Sequence, residues 1–450
     1  MPHLLVVLAA LGFSGFSLSG QTLRTGEARN RHVLVISVDG LGANLYAQLA
    51  PKVRVPNLQR LRAEGSYAEG VIGVYPSVTY ASHTTIVTGR MPAEHGIYSN
   101  LSSRQAGQNP NDWFWFSKAI KVPTLWDEAR RNHLTTGSVF WPVTAGAPIE
   151  WDIPEIWDPR KGEVGDPLYV AKYATPGILF QALLEIGPPP PGTDEDITRT
   201  RLATFLLKKY KPNLLLVHLT SLDGAEHGHG PQSPEAAATL ANEDNLVGDL
   251  LEALKESGLE KSTDVFIVSD HGFLTVLNEI SPNVLLAKAG LLATDKGGSV
   301  TGGKVATVSN GGSFFIYWPE GQDLRAEVDE ALKPLRDQGV LWGIFNRSAL
   351  RELGAEPAAQ LALEAAEGWS FSSRASGAVV SKMNAPSGTH GYLPSRSGLE
   401  ASFVAWGPEI RAGVNLHRIR MTAVGPTILK VMGIQDPQFS DEPALADILK

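Results

Sequence analysis

Short runs of consecutive apolar residues interrupt an otherwise mixed chain. They are His32 to Val38 (HVLVISV), Asn213 to Leu219 (NLLLVHL), Asp264 to Val268 (DVFIV) and Ala401 to Trp406 (ASFVAW). Apolar, β-branched runs without polar alternation are the mark of strands buried on both faces of a parallel sheet. Gly137 to Trp141 (GSVFW) reads as a further strand. Between these runs lie helical signals. After Val55-Pro56-Asn57 comes LQRLRAEG, an amphipathic helix stopped by Gly65. Thr124 to His133, Thr198 to Tyr210 and Met421 to Met432 also read as helices. A longer helix starts at Ser233, as N-cap, with Pro234 at its first position, and runs to about Ser257 before Gly258. This alternation predicts an α/β fold: a mostly parallel central sheet with helices on both faces.

The pattern changes twice. From Pro142 to Thr193 the chain is rich in Pro, Trp and Gly and ends in four prolines and Gly192. Loops of such length in compact domains are usually functional or linking. From Phe273 to Met383 the pattern mixes short strands with a helix near Leu324 to Arg336 and an Ala/Glu-rich helix near Pro357 to Glu367. We expect residues 273–383 to form an inserted cap subdomain, and residues 31–272 and 384–450 to form the α/β body.

Composition narrows the classes. A chain of 450 residues with 43% hydrophobic content can bury a large core. A net charge of −8, with 19% charged residues and no long like-sign runs, argues against a general nucleic-acid-binding surface. There are no cysteines, so any metal must be held by Asp, Glu or His. Residues 3–19 (HLLVVLAALGFSGFSLS) look like the apolar core of a signal peptide spanning 1–20, although no Lys or Arg precedes them; an ordinary buried segment is the alternative. No later stretch approaches the ~20 apolar residues that span a bilayer. The expectation is export to the periplasm or beyond.

Candidate chemistry gathers at the strand ends. The first run ends in Asp39-Gly40, the second near Asp223 and His227, the third in Asp270-His271, and His390 follows a Gly/Ser-rich loop. In open α/β sheets the residues just past the strand C-termini build the site. Six oxygen and nitrogen ligands without sulfur suit two divalent ions, and the histidines favour zinc over magnesium. Each residue alone has a plainer explanation: Asp39-Gly40 and Asp223-Gly224 as turns, Asp270-His271-Gly272 as a loop opening, His227 and His229 as solvated loop residues. The stretch Tyr75 to Asn100 (YPSVTYASHTTIVTGRMPAEHGIYSN) supplies a hydroxyl, Thr79, on a turn before an apolar run. A hydroxyl there either caps a helix or lies where helix N–H groups attract phosphate oxygens. Acids and histidines at three strand ends, together with a hydroxyl after a turn, are what two-metal phosphoryl transfer requires.

Six ordered motifs then carry a resemblance: VDGLG (38–42), VPNLQRLRAEG (55–65), the Thr79 stretch through VTGRMPAEHGI (87–97), LDGAEHGHGP (222–231), VSDHG (268–272) and GTHGY (388–392). Over roughly residues 31–275 and 385–435 the chain resembles the nucleotide pyrophosphatase/phosphodiesterase family of the alkaline phosphatase superfamily. The resemblance implies an alkaline phosphatase-like catalytic domain and a metal-dependent phosphoric diester hydrolase. It implies one Zn2+ held by Asp39, Asp270 and His271 beside the Thr79 hydroxyl, and a second held by Asp223, His227 and His390. Thr79 would attack phosphorus and form a covalent intermediate, Asn100 would donate to a phosphoryl oxygen, and Trp141 would lie on the substrate side.

The chain also departs from the family pattern. Tyr80-Ala81-Ser82 stands where Phe-Pro-Asn is common, Gly42 where Arg is common, and His229 where an aromatic residue is frequent. No presumed ligand is lost, but the leaving-group pocket, to which Tyr80 is expected to contribute, is put in question. Trp151, Trp157 and Tyr173 are the other aromatic candidates for stacking on a base, or they simply pack the loop. The expected partner is a small phosphodiester or nucleotide. Val139 to Glu155 lacks the Lys or Arg that a monoester's extra charge would need, with Arg104 and Lys382 as outside sources. A phosphomonoesterase, a phospholipid-headgroup diesterase and an inactive zinc-binding protein are the competing readings. A sulfatase would need Cys or Ser where Thr79 stands.

Overall fold

The computed structural model describes residues 30–102, 113–158, 166–190 and 192–450. The expected signal segment and Arg104 lie outside these residues.

Six strands come first in the chain: β1 (His32–Val38), β2 (Ser66–Ile72), β3 (Thr136–Val139), β4 (Trp151–Ile153), β5 (Leu214–Leu219) and β6 (Thr263–Val268). An insertion of nine strands follows: β7 (Leu274–Ile280), β8 (Leu292–Thr294), β9 (Val300–Gly303), β10 (Ala306–Ser309), β11 (Ser313–Tyr317), β12 (Leu341–Asn346), β13 (Leu361–Ala365), β14 (Gly368–Phe371) and β15 (Val380–Thr389). The chain then returns through β16 (Phe403–Trp406) and β17 (Val414–Arg420). The central sheet has eight strands in the order β17-β2-β16-β6-β1-β5-β3-β4. Within it β16 alone runs antiparallel to its neighbours, so the sheet is mostly parallel, as its sequence implies.

The continuous apolar runs follow from two-sided burial. Leu34, Ile36 and Val38 of β1 enter one core with Leu215, Val217, Val265 and Ile267, and it is closed by the Pro56–Glu64, Glu195–Lys209 and Pro234–Glu256 helices. Val33 and Val35 enter the opposite core with Leu214, Leu216 and Phe266, beneath the Thr79–Thr88, Leu125–Arg131 and Val424–Val431 helices. Each such side chain, fully buried, contributes roughly 1.5–3 kcal/mol. Register then aligns the strand ends, because Ser37 pairs with both His218 and Val268. Asp39, the chain beyond Leu219, and Asp270 therefore leave the sheet at one edge.

Helix boundaries follow the expected chemistry. The Ser233 hydroxyl accepts from Ala236 N–H at 3.0 Å, with Pro234 next to it, and the helix runs to Glu256. Thr124 and Asp127 form a capping box on the Leu125–Arg131 helix.

Three expectations need correction. The Ala/Glu-rich segment near 357–367 is not a helix: Leu361–Ala365 is strand β13, buried at all five positions and paired to both β11 and β12. Leu and Ala favour helix locally, but pairing on both edges and complete burial outweigh that preference. The helix near Leu324 to Arg336 divides at Leu332 into Arg325–Ala331 and Lys333–Asp337, with Pro334 entering the second piece; proline cannot sit in a helix interior. The Pro142–Thr193 excursion is more regular than expected, since it adds edge strand β4 and the helices Pro167–Val170 and Ile178–Ile186.

The insertion has a core of its own, including Val276, Phe314, Leu335 and Leu363, and its strands form sheets separate from the central one. The expected boundary at 383/384 falls inside β15, which continues to Thr389 and delivers His390. No helix among the described residues is long and apolar enough to cross a membrane.

Candidate active site

Asp39 stands one residue past β1, and Asp270 and His271 follow β6 closely. Gly40 turns the chain with φ +78°, and its N–H reaches Asp270 Oδ1 at 3.2 Å. A Cβ at Gly40 would lie 2.5 Å from Glu226 Oε2, so only glycine fits there. Asp223 and His227 lie on one face of the Ser221–His229 helix, being four residues apart. Asp196 fixes the start of that helix by accepting the N–H groups of Thr220 and Ser221, both at 2.6 Å.

These side chains converge. His271 Nε2 lies 3.0 Å from Asp270 Oδ2 and 3.5 Å from Asp39 Oδ1. His390 Nε2 and His227 Nε2 lie 3.8 and 3.6 Å from Asp223 Oδ1. The other ring nitrogen of each of these two histidines faces a carbonyl: His390 Nδ1 to Ser77 at 3.0 Å and His227 Nδ1 to Gly388 at 3.0 Å. With Nδ1 donating, Nε2 carries its lone pair toward the acids, the second-sphere arrangement found around metal-bound histidine.

Asp39 Oδ1 and Asp223 Oδ1 are buried and make no hydrogen bond among the described residues, while the equally buried Asp270 Oδ2 has His271 Nε2 at 3.0 Å. Unpartnered buried acceptors are costly unless a cation satisfies them. Two groups could hold a metal ion, Asp39/Asp270/His271 and Asp223/His271/His390, so the donor set fits two neighbouring divalent ions with His271 between them. His227 lies at the rim, its side chain 42% exposed.

Electrostatics without a cation are strained. Burial, then the charges of Asp270 and Asp223, pushes Asp39 well above the usual carboxylate range. Burial also raises Asp223. His390 is driven far down by burial and by the neighbouring His271 and His227.

Thr79 opens the Thr79–Thr88 helix and is 8% exposed. It is the first helical residue rather than the N-cap, which is Val78. The capping explanation therefore does not hold. The same turn touches the acid cluster twice: Ser77 accepts from His390, and His83 lies with Nδ1 2.8 Å from the Thr79 carbonyl and 3.8 Å from Asp270 Oδ2. Asn100 Oδ1 accepts the Tyr80 N–H at 2.9 Å, which leaves its amide donors next to the helix start.

Two expected substrate contacts are elsewhere. Tyr80 is 0% exposed, donates its hydroxyl to Glu155 at 2.8 Å and packs edge-on against Trp113, so its ring has no free face for a leaving group. Trp141 is 0% exposed and meets His83 edge to face at 4.9 Å. Trp157 packs on Trp113 and Trp115, Trp151 stacks on Tyr210, and Tyr173 contacts Phe116 and Tyr169. Lys382 is exposed on β15, opposite Asn278.

Sequence reasoning missed a buried chain of polar groups behind Asp39. His218 is within 2.9 Å of Asp39 Oδ2 through Nε2 and within 2.8 Å of Glu155 Oε2 through Nδ1. Burial alone would lower its pKa, but Glu155 and Asp39 outweigh burial and raise it to about 10. His218 thus bridges Asp39 and Glu155 through its two ring nitrogens and holds Asp39 in orientation. A lone polar residue in NLLLVHL was the available signal. Arg199 was missed too; it is spent on Asp196 (3.1 Å) and on the Thr220 hydroxyl (2.6 Å).

Residues 33–393 match the family described as type I phosphodiesterase / nucleotide pyrophosphatase. An uncharacterized pyrophosphatase/phosphodiesterase of Schizosaccharomyces pombe is 28% identical over 253 residues, 53% of this chain and 44% of that protein. Rat ectonucleotide pyrophosphatase/phosphodiesterase family member 1 is 28% identical over 261 residues, 55% of this chain and 24% of that protein. The matched stretch thus spans less than half the length of these relatives. Among solved structures, human ectonucleotide pyrophosphatase/phosphodiesterase 5 superposes with a TM-score of 0.67 at 20% identity, covering 93% of this chain and all of that one. An inactive murine form of the same protein, in complex with AMP, gives 0.66 at 19% identity, with 93% and 100% covered. By the family match over most of its length, the chain belongs to the type I phosphodiesterase/nucleotide pyrophosphatase family of hydrolases.

Proposed function

We propose that the chain is an exported phosphodiesterase/nucleotide pyrophosphatase that uses two zinc ions and Thr79 as nucleophile. The observation that supports this reading most is the gathering of Asp39, Asp223, Asp270, His271 and His390 into groups that could hold metal ions, touched by Ser77 and His83 from either side of the start of the Thr79–Thr88 helix. One ion would be held by Asp39, Asp270, His271 and the Thr79 hydroxyl, the other by Asp223, His227 and His390. When bound, the two ions supply Lewis-acid stabilisation of the charge that develops on the attacking, leaving and equatorial oxygens.

The remaining work falls to the chain. The Thr79 oxygen attacks phosphorus in line, a P–O bond forms to Thr79, and the bond to the leaving oxygen breaks. Water then attacks the phospho-threonine, releases the product acid and restores the hydroxyl, so configuration at phosphorus is retained. The Asn100 amide, held by its Oδ1 on the Tyr80 N–H, would donate to a phosphoryl oxygen at the helix start. Losing one such donor typically costs on the order of 10²-fold in rate.

A nucleotide substrate is supported by the relatives, which include a bovine bis(5'-adenosyl)-triphosphatase 27% identical over 274 residues, and by the AMP bound to the structural neighbour. Export is supported by relatives that are ectonucleotide enzymes or venom phosphodiesterases. A monoesterase is disfavoured because Val139 to Glu155 carries no Lys or Arg and the buried Arg199 is already paired. The test is steady-state kinetics of the zinc-loaded protein on p-nitrophenyl phosphate and on the p-nitrophenyl ester of thymidine 5'-monophosphate. The expected outcome is a kcat/KM strongly favouring the diester, with Thr79→Ala abolishing turnover while zinc is retained. A preference for the monoester refutes the diesterase reading, and full activity in Thr79→Ala refutes the nucleophile.

A further inference from the structure

The insertion reaches the site at a turn that has no role in the set above. Asn310, Gly311 and Gly312 join β10 to β11, and the Asn310 N–H closes the turn on the Ser313 carbonyl at 2.9 Å. This turn lies against two segments that carry site residues. On one side the Gly312 N–H donates to the His390 carbonyl at 2.8 Å. A Cβ at Gly391 would lie 1.6 Å from the Asn310 carbonyl oxygen, and one at Gly312 2.1 Å from the Tyr392 ring, so both positions admit only glycine.

On the other side the Ser99 hydroxyl donates to Asn310 Oδ1 at 2.7 Å. Ser99 and Asn310 are each 8% exposed, so water has little access to replace either partner. A serine hydroxyl has one proton to give, and giving it to Asn310 leaves the lone pairs for other donors. Ser99 Oγ accepts the Leu101 N–H at 3.4 Å, a side-chain turn with Asn100 at its centre. Asn100 in turn accepts the Tyr80 N–H at 2.9 Å, in the first turn of the Thr79–Thr88 helix. The contacts thus run without a break from the insertion to the start of the helix that bears Thr79.

We infer that Asn310 is a positioning residue for the phosphoryl-transfer step: through Ser99 it holds the turn that presents the Asn100 amide. The insertion then completes the site rather than only covering it. This rests on the role proposed above for Asn100, but not on which metal is bound.

The test is a kinetic cycle on the p-nitrophenyl ester of thymidine 5'-monophosphate with the zinc-loaded full chain. Asn310→Ala and Ser99→Ala remove the same bond from opposite ends. Each should lower kcat roughly 10-fold, within the ~10²-fold that loss of the donor itself costs, and leave KM nearly unchanged. The double variant should fall no further than either single one, because the bond is already gone. Ser99→Thr, which keeps the hydroxyl, should retain most of kcat. In an Asn100→Ala background, adding Asn310→Ala should change kcat by less than about 2-fold, since the group it positions is absent. Circular dichroism and bound metal should match wild type, and where Asn310→Ala does not fold, Ser99→Ala carries the test. Wild-type kcat in Ser99→Ala, or an undiminished loss with Asn100 already removed, would overturn the inference and leave the diesterase reading standing. Wild type inactive on the diester would overturn that reading itself.

Discussion

Replacing His218 by Gln tests the buried clamp behind Asp39. The His218, Asp39 and Glu155 side chains are 1%, 4% and 8% exposed, so solvent cannot take over for a lost partner. The two contacts, at 2.9 and 2.8 Å, are charge-assisted. Removing one partner of a buried ion pair costs about 3–5 kcal/mol. A glutamine amide reaches only one of the two acceptors and recovers about 1 kcal/mol. The net expectation is a loss of about 3 kcal/mol. For a chain of 450 residues the unfolding entropy is about 0.9 kcal/mol/K, so Tm should fall by about 3 °C. Thermal and urea unfolding of chelator-stripped wild type, His218→Gln, Glu155→Gln and the double variant would measure this. Once His218 is gone, neutralising Glu155 removes an unpaired charge. The double variant should therefore be more stable than the sum of the single losses by at least ~1 kcal/mol. A Tm change under about 1 °C, or additive losses, would show that His218 does not bridge the two carboxylates.

Other predictions concern the supports of the site and of the sheet. Asp264, whose pKa burial raises to about 7 from 3.8, holds a proton in the folded chain that the unfolded chain has released between those values. Its stabilising share is complete below pH 3.8 and is lost as pH rises through about 7, an effect of about 4 kcal/mol. Asp264→Asn should flatten the fall in urea stability between pH 4 and 8, and an unchanged profile would contradict the assignment. Asp196→Ala removes the acceptor of two N–H groups at the start of the ligand-bearing helix and leaves the buried Arg199 with the half-exposed Glu195 in place of its buried carboxylate. A loss of about 3–5 kcal/mol is expected by thermal unfolding, with faster release of metal on dialysis. Wild-type stability together with wild-type metal retention would argue against this anchoring role.

By itself the sequence determined the parallel sheet and the places where chemistry-bearing residues leave it. HVLVISV, NLLLVHL and DVFIV are apolar on both faces because both faces are covered, and that burial is written in adjacent residues. The Ser233-Pro234 start was equally legible, because capping chemistry acts within one turn. Only the tertiary structure decided what depends on partners far away in the chain. Leu361–Ala365 is a strand because β11 and β12 flank it, against its own helical preference. Tyr80 follows Thr79 directly in one helix, yet its ring is fully buried in the core. Its inward partner, Glu155, is 75 residues away. The His218 clamp joins Asp39 and Glu155 across 179 and 63 residues. Periodicity and capping are short-range and leave a trace in sequence, whereas desolvation and pairing of buried charges belong to the folded packing alone.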